Sequence, residues 1–518
     1  MYKSAASLYS EFETDRHSYL LRARDCSRLT LPMLLPDEGT THSTHFPTPF
    51  QGLGARGVNH LAASLLMSLL PPNQPFFRLA LDEEAIRALG GVEEYKTEID
   101  QSLSSIERAV MQEIEVKAIR SAVFEALKHL IVTGNALVYL GEDGIRVFRL
   151  NHYVVKRDPT GKILHIVVKE TVSPLGVPDE AKPLVQQKNA TENSVDMYTC
   201  VHAIENNKYE AYQVIENTIL ESTRGTYRED SMPWLALRMN RVDGESYGRG
   251  YVEEYLGDLR SLEGLTQAIV EGSAAASKVL FLVNPNGMTR ADVLSKSPNG
   301  AIREGMAADV SVLQVQKQAD FGVALQAVAT IRDRLNYAFL LAESTIRNAE
   351  RVTAEEVRLT TAAVERQLGG IYSILAQEFQ LPLVNRFMDV MSRRKRLPKV
   401  PKEFVKPMII TGVDALGRGN DLVKLDALLA GMAQIFGPQA ISQFVNPQEY
   451  LARRAAALGI DTKGLIKSPE EMAAEANKAM MANMTEKLGP SIVGQYGKMV
   501  ENGALPAPGQ AQQPMMGQ

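Results

Sequence analysis

Apolar positions set the first divisions of the chain. Between Ala5 and Leu31 the residues Leu8, Phe12, Tyr19, Leu20 and Ala23 fall at helical spacing, which predicts a helix. The Pro- and Thr-rich segment from Pro32 to Pro49 breaks that pattern and predicts a loop. A second helix is expected from Gly57 to Leu70, stopped by Pro71-Pro72, with a short strand from Phe76 to Leu81 after it. Helices are expected again from Val92 to Val116 and from Arg120 to Thr133. From Ala136 to about Val214 the period changes. Runs such as I-R-V-F-R-L, Y-V-V-K-R and I-L-H-I-V-V-K-E-T-V are separated by Gly, Pro and Asp, so a β-rich lobe built from hairpins is predicted.

After Arg241 the pattern turns helical again. Tyr251 to Ser277 is a long helical stretch, and Val279 to Val283 is a short strand closed by the turn signal Asn284-Pro285-Asn286-Gly287. Up to Val315 short strands are expected to alternate with Gly and Pro, after which the helical pattern runs from Ala319 to Arg347. A third long helical stretch spans Thr353 to Arg396. Thr353 and Glu356 form a T-x-x-E capping box at its start, and Gly369-Gly370 and Pro382 are expected to kink or interrupt it. A strand from Met408 to Ile410 leads to helices between about Asp421 and Lys498. The last stretch, A-L-P-A-P-G-Q-A-Q-Q-P-M-M-G-Q, reads as a disordered tail. The fold class is therefore α+β, mainly α, with a helix, a small β piece and an antiparallel helix between larger lobes.

Composition narrows the function. The 518 residues are 45% hydrophobic and 23% charged, enough apolar content for two to four lobes. A net charge of −5 argues against a protein that grips nucleic acid tightly, because such a protein neutralises phosphates with a basic stripe. Cys26 and Cys200 lie in no metal or redox spacing, so no disulfide framework is expected. Neither a secretory h-region nor a run of about 18 apolar residues is visible, so no membrane association is expected.

Gly52-Leu53-Gly54-Ala55-Arg56-Gly57 is a literal G-x-G-x-x-G, and Asp82 follows at the end of a strand-like run. A dinucleotide-binding oxidoreductase would require a buried strand directly before Gly52, but Thr44 to Phe50 contains Pro47 and Pro49. A turn into a core helix is the simpler reading, and no cofactor is expected. No phosphate-binding loop, G-x-S-x-G, H-E-x-x-H or Cys–His cluster occurs, so an enzyme is not expected. The eight histidines are scattered between His17 and His202. Asp243, Glu245, Glu253, Glu254 and Asp258 read as a solvated helix face rather than a metal site. The basic run from Arg393 to Lys406 could touch nucleic acid, but a solvated helix end and loop is the favoured reading, because cations suit a helix C-terminus.

R-V-D-G-E-S-Y-G-R-G-Y-V-E-E-Y-L-G-D-L-R-S-L-E (241–263) strongly resembles the portal, or head–tail connector, proteins of short-tailed phages. S-K-V-L-F-L-V-N-P-N-G (277–287), Q-K-Q-A-D-F (316–321), E-R-V-T-A-E-E-V-R (350–358) and L-G-G-I-Y-S-I-L-A-Q-E-F-Q-L-P-L-V (368–384) follow in the family order. T-P-F-Q-G-L-G-A-R-G-V-N-H-L-A (48–62) is similar to the same family. The likeness extends to about residue 470.

The resemblance implies a dodecameric ring in the virion, at the portal vertex of the capsid, assembled in the host cytoplasm. It places a wing at 1–247, stem helices at 248–278 and 319–342, and a β-rich clip at 279–318. A channel loop follows at 343–352, a second wing part at 353–420, a helical crown at 421–498 and the tail at 499–518. Double-stranded DNA in the channel, the large terminase, capsid and scaffolding proteins, tail adaptor proteins and internal core proteins are the implied partners. Arg347 and Arg351 match the channel-loop position, and Glu254, Asp258 and Lys317 are stem or channel-facing candidates. A channel in which DNA slides is expected to carry acidic or neutral walls, since every phosphate contact adds affinity. A ring scaffold of non-viral origin is the other structural alternative.

Overall fold

The computed structural model describes residues 4–40, 43–72, 75–81, 93–183, 194–276, 280–313, 318–341, 368–397 and 405–409, with parts of 426–435 and residue 450. The chain divides into two compact units, 1–415 and 416–518. In the second, 426–432 is helical, and the Tyr450 hydroxyl donates to Asp426 at 2.6 Å.

The first unit opens with α1 (Ala5–Arg28), capped by Ser4, whose side chain accepts from the Ser7 amide. Helix α2 spans Leu53–Leu69, four residues earlier than its apolar pattern suggests. The carbonyls of its last turn are met by tertiary partners: the Tyr372 hydroxyl donates to Ser68 O at 2.8 Å and Gln380 Nε2 to Leu69 O at 2.6 Å. Strand β1 (Phe77–Leu81) is antiparallel to a distant strand, Val405–Ile409, which starts earlier than expected. Helices α3 (Glu93–Val116) and α4 (Ile119–Thr133) follow as predicted.

The β-rich lobe is larger than its pattern suggested. Strands β2 (Asn135–Leu140), β3 (Ile145–Phe148) and β9 (Trp234–Arg238) form a three-stranded sheet in the order β3-β2-β9. Between them, β4 (Tyr153–Arg157), β5 (Ile163–Val172), β6 (Val195–Ile204), β7 (Lys208–Ile215) and β8 (Thr218–Arg228) make an antiparallel meander in sequence order. Glu216 and Asn217 turn the last hairpin with both φ positive, the geometry whose twist matches the strands it joins. One face of the meander packs Val154, Val167, Cys200 and Val214 against Tyr9 and Phe12 of α1. The other packs Val155, Ile166 and Tyr209 with Phe148, Trp234 and Tyr247. Cys26 and Cys200 are free and buried, and burial pushes both thiols up to about 12.

The remaining elements are α5 (Tyr251–Glu254), α6 (Leu256–Ala276), β10 (Leu280–Val283), α7 (Ala291–Ser295), β11 (Val310–Leu313) and α8 (Gln318–Ala338). The 280–313 piece thus holds one β-hairpin and a short helix rather than a series of strands. In the described part of the third long helix, 368–393, Gly369 and Gly370 interrupt nothing. A widened π-turn at Ala376–Gln380 stands just before Pro382, where a residue without an N–H must be accommodated. The capping box at Thr353 and Glu356 and most of the expected helices after Asp421 lie outside the described residues.

The main core joins α2, α4, β2 and 368–393, and His129 of α4 sits at its margin with 1% exposure. Burial drives its pKa down from 6.5 to about 4. The unfolded chain takes up a proton at about pH 6.5 and the folded chain does not, so this site favours unfolding as pH falls from 6.5 to 4. The loss amounts to roughly 3 kcal/mol at the low end. Urea unfolding of the wild type and of His129→Leu between pH 7 and pH 4.5 checks this, with a shallower decline expected in the variant.

Candidate functional site

The stretch from Tyr247 to Leu341 is a helical hairpin whose root packs on α4 and the start of β2. Its root depends on close backbone approach. Gly134 ends α4 at φ +77°, and a Cβ there would lie 2.4 Å from the Arg249 carbonyl carbon and 2.5 Å from the Gly250 nitrogen. Asn135 brackets the same crossing: its Nδ2 donates to Gly248 O at 2.9 Å and its Oδ1 accepts from Gly248 N at 2.8 Å. The Y-G-R-G-Y motif is explained by this crossing, because Gly248 and Gly250 lie under the backbone of residues 132–134. Arg249 between them donates to Glu245 at 2.8 Å and to Glu253 at 3.1 Å.

Helices α6 and α8 run side by side and are joined by the β10–β11 hairpin. Leu259, Leu262, Ile331 and Leu335 are buried at the base. Farther out, Phe321 sits over Gly272, where a Cβ would come within 2.7 Å of the ring. Asp258 and Arg334 form a rung between the two helices at 2.9 Å. Beyond the base, no described residue from 263 to 330 is buried. Val270, Phe281, Leu282, Met288, Ile302 and Val323 are all at least half exposed.

The distal piece is held by polar contacts instead of a core. Asn284 N donates to Asp309 O at 2.8 Å, and the Asp309 carboxylate accepts from the Thr289 amide at 3.0 Å and its hydroxyl at 3.1 Å. The Thr289 hydroxyl also accepts from Met306 N at 3.0 Å. Such a loop keeps its shape while presenting its apolar side chains outward.

Of the residues singled out in the sequence, Glu254 is exposed and accepts from Asn240 Nδ2 at 2.8 Å; partial burial and Glu253 raise its pKa. Asp258 is the rung to Arg334. Lys317, Arg347 and Arg351 lie outside the described residues. The acidic cluster is dispersed among Arg249, Asn240 and Arg334, and no group of three metal-type ligands comes together among the described residues. The basic helix end is paired, Arg393 with Asp389, Arg394 with Glu142 and Arg396 with Glu113.

The glycine motif is not a nucleotide site. The described residues 43–51 before Gly52 hold no strand, Gly54 lies against Leu29 O in the first turn of α2, and Gly57 makes room for Phe339. That seat was not visible in the sequence. Phe339 is fully buried there beside Tyr251 and Tyr255, with ring centroids 6.1 Å from each, and the Tyr251 hydroxyl donates to Ala338 O at 2.8 Å. No described helix is long and apolar enough to cross a membrane.

Comparison with known proteins agrees with this architecture. The family model of the bacteriophage head to tail connecting protein matches residues 2–466. The portal protein of Enterobacteria phage T3 is 40% identical over 476 residues, covering 90% of this chain and 89% of that protein. That of Escherichia phage T7 is 40% identical over 478 residues, with the same coverage of both chains. The portal protein of Enterobacteria phage SP6 is 27% identical over 496 residues, 94% of each. With a root of crossed glycines, a helical hairpin whose outer part holds no buried residue among those described, and this likeness along nearly its whole length, the chain belongs to the bacteriophage head-to-tail connecting proteins, the portal proteins of short-tailed phages.

Proposed function

We propose that twelve copies, roughly the number the family likeness implies, stand around a channel for double-stranded DNA during packaging, retention and ejection. The observation that carries this reading is the exposed outer part of the hairpin. Among the described residues from 263 to 330 none is buried, and apolar side chains there are covered by no described residue. Burial against neighbouring copies would recover that surface, at about 25 cal/mol per Å². The distal 280–313 piece would then form one rim of the ring, the docking surface for the large terminase and afterwards for tail adaptor proteins. Capsid, scaffolding and internal core proteins would meet the other surfaces, with assembly in the host cytoplasm.

Negative-stain imaging with a solution mass tests the ring directly. Rings with a central hole support the reading, and a compact monomer or dimer removes it. Val323→Glu combined with Leu325→Glu places two charges on exposed apolar positions of α8. The expected outcome is loss of rings by sedimentation, with helix content near wild type by circular dichroism.

Arg347 and Arg351 fall in the proposed channel loop, where two cations per copy would hold DNA once packaging ends. Glu254, Asp258 and Lys317 would line or flank the stem. Replacing both arginines by Ala is expected to leave rings intact and to lower genome retention in packaged particles. Retention equal to wild type would sink the assignment.

A further inference from the structure

The helical pattern runs from Ala319 to Arg347 without a glycine or proline after Gly322, yet α8 ends at Ala338. It stops at Leu340, whose φ is +58°. Helices that end on a left-handed residue use glycine or asparagine there, because a Cβ is unfavourable in that conformation. Seven described residues other than glycine have positive φ, and Leu340 alone among them is buried; the other six are exposed turn or helix-end positions.

Tertiary contacts hold this corner against the local preference. The Leu340 amide donates to Tyr337 O at 3.1 Å, a tightened turn in place of the helical bond to Asn336. The Leu340 carbonyl accepts from the imidazole of His60 on α2. Tyr251 on α5 donates to Ala338 O, and Phe339 fills the space left by Gly57. His60, Tyr251 and Gly57 all come from elements distant in sequence.

We propose that Ala338–Leu341 is a two-state corner. In one state Leu340 is held left-handed by His60 and Tyr251; in the other those contacts open and α8 continues through Leu341, changing the direction in which the chain leaves the stem. The functional weight of this switch rests on the portal reading, but the corner itself can be tested without it. Local preference and tertiary contact disagree here, and such disagreement marks positions where a chain has two accessible arrangements.

The test is hydrogen exchange of the full-length assembled protein, read at peptides covering Phe339 to Leu341. His60→Leu with Tyr251→Phe removes both donors and keeps side chains of similar size. Exchange at Leu340 and Leu341 at least tenfold slower than wild type is expected, as helical bonds replace the corner. Adding Leu340→Gly to that double variant favours the left-handed state and is expected to restore wild-type exchange. Faster or unchanged exchange in the double variant would mean a simple cap, and overturns the switch. If the double variant fails to fold, Tyr251→Phe alone gives the same readout. Ring imaging of the same samples separates failure of the switch from failure of the portal reading.

Discussion

A Gly134→Ala chain is expected to lose at least about 4 kcal/mol of stability, the largest effect of any single methyl group considered. Two costs combine. A residue with a Cβ at φ +77° costs roughly 1–2 kcal/mol by itself. The added carbon also meets the backbone of Arg249 and Gly250 within 2.5 Å, and backbone cannot turn aside as a side chain can. Relief requires residues 248–250 to move, which would break both Asn135–Gly248 hydrogen bonds and shift the root of the helical hairpin. Gly144→Ala is the control: nothing lies within 4 Å of its Cβ, so a change within about 0.5 kcal/mol is expected. Urea unfolding of the two variants in parallel checks the difference, and equal losses would refute the account.

Arg16→Met is expected to cost about 4 kcal/mol and to loosen α1 from the β-rich lobe. The Arg16 side chain is 2% exposed, and its Nη1 lies 2.8–3.1 Å from the Tyr9 hydroxyl and the carbonyls of Leu150, Asn151 and Tyr153. Its Nη2 donates to Glu13 at 2.7 Å. Methionine fills the space but donates nothing, leaving buried carbonyls at about 1–3 kcal/mol each. Limited proteolysis should then cut within α1 while the α6–α8 hairpin keeps its wild-type pattern. Arg16→Lys, which can satisfy some of these carbonyls but not hold the same planar fork, is expected to fall between the two.

The two effects bear on one mechanical arrangement. Helix α1 is tied to the β-rich lobe through Arg16 and to the base of the α6–α8 hairpin through Arg22–Glu253 at 3.3 Å and Arg260–Asp25 at 2.7 Å. Of the latter two, Arg260–Asp25 is exposed and screened by salt and Arg22–Glu253 is half-buried, whereas the Arg16 contacts are buried.

By itself the sequence determined the order and type of the main described helices and of most of the meander, but not of β8, β9 or α7. Periodicity located α1, α3, α4, α6 and the third long helix, and β-branched runs between turn residues located the meander, because these preferences reside in side chains a few positions apart. The blocks from 241 to 384 also carried the family. Tertiary structure decided the rest. It decided that Gly54 and Gly57 are seats for Leu29 and Phe339, that Gly134 and Gly248 cross at van der Waals contact, and that Arg16 is a buried clasp. It ended α8 at Ala338 where the pattern continues, and it left the outer part of the hairpin with no buried residue among those described. Each of these depends on groups dozens to hundreds of positions apart, whose approach is set by packing of the whole unit and leaves no periodic trace along the chain.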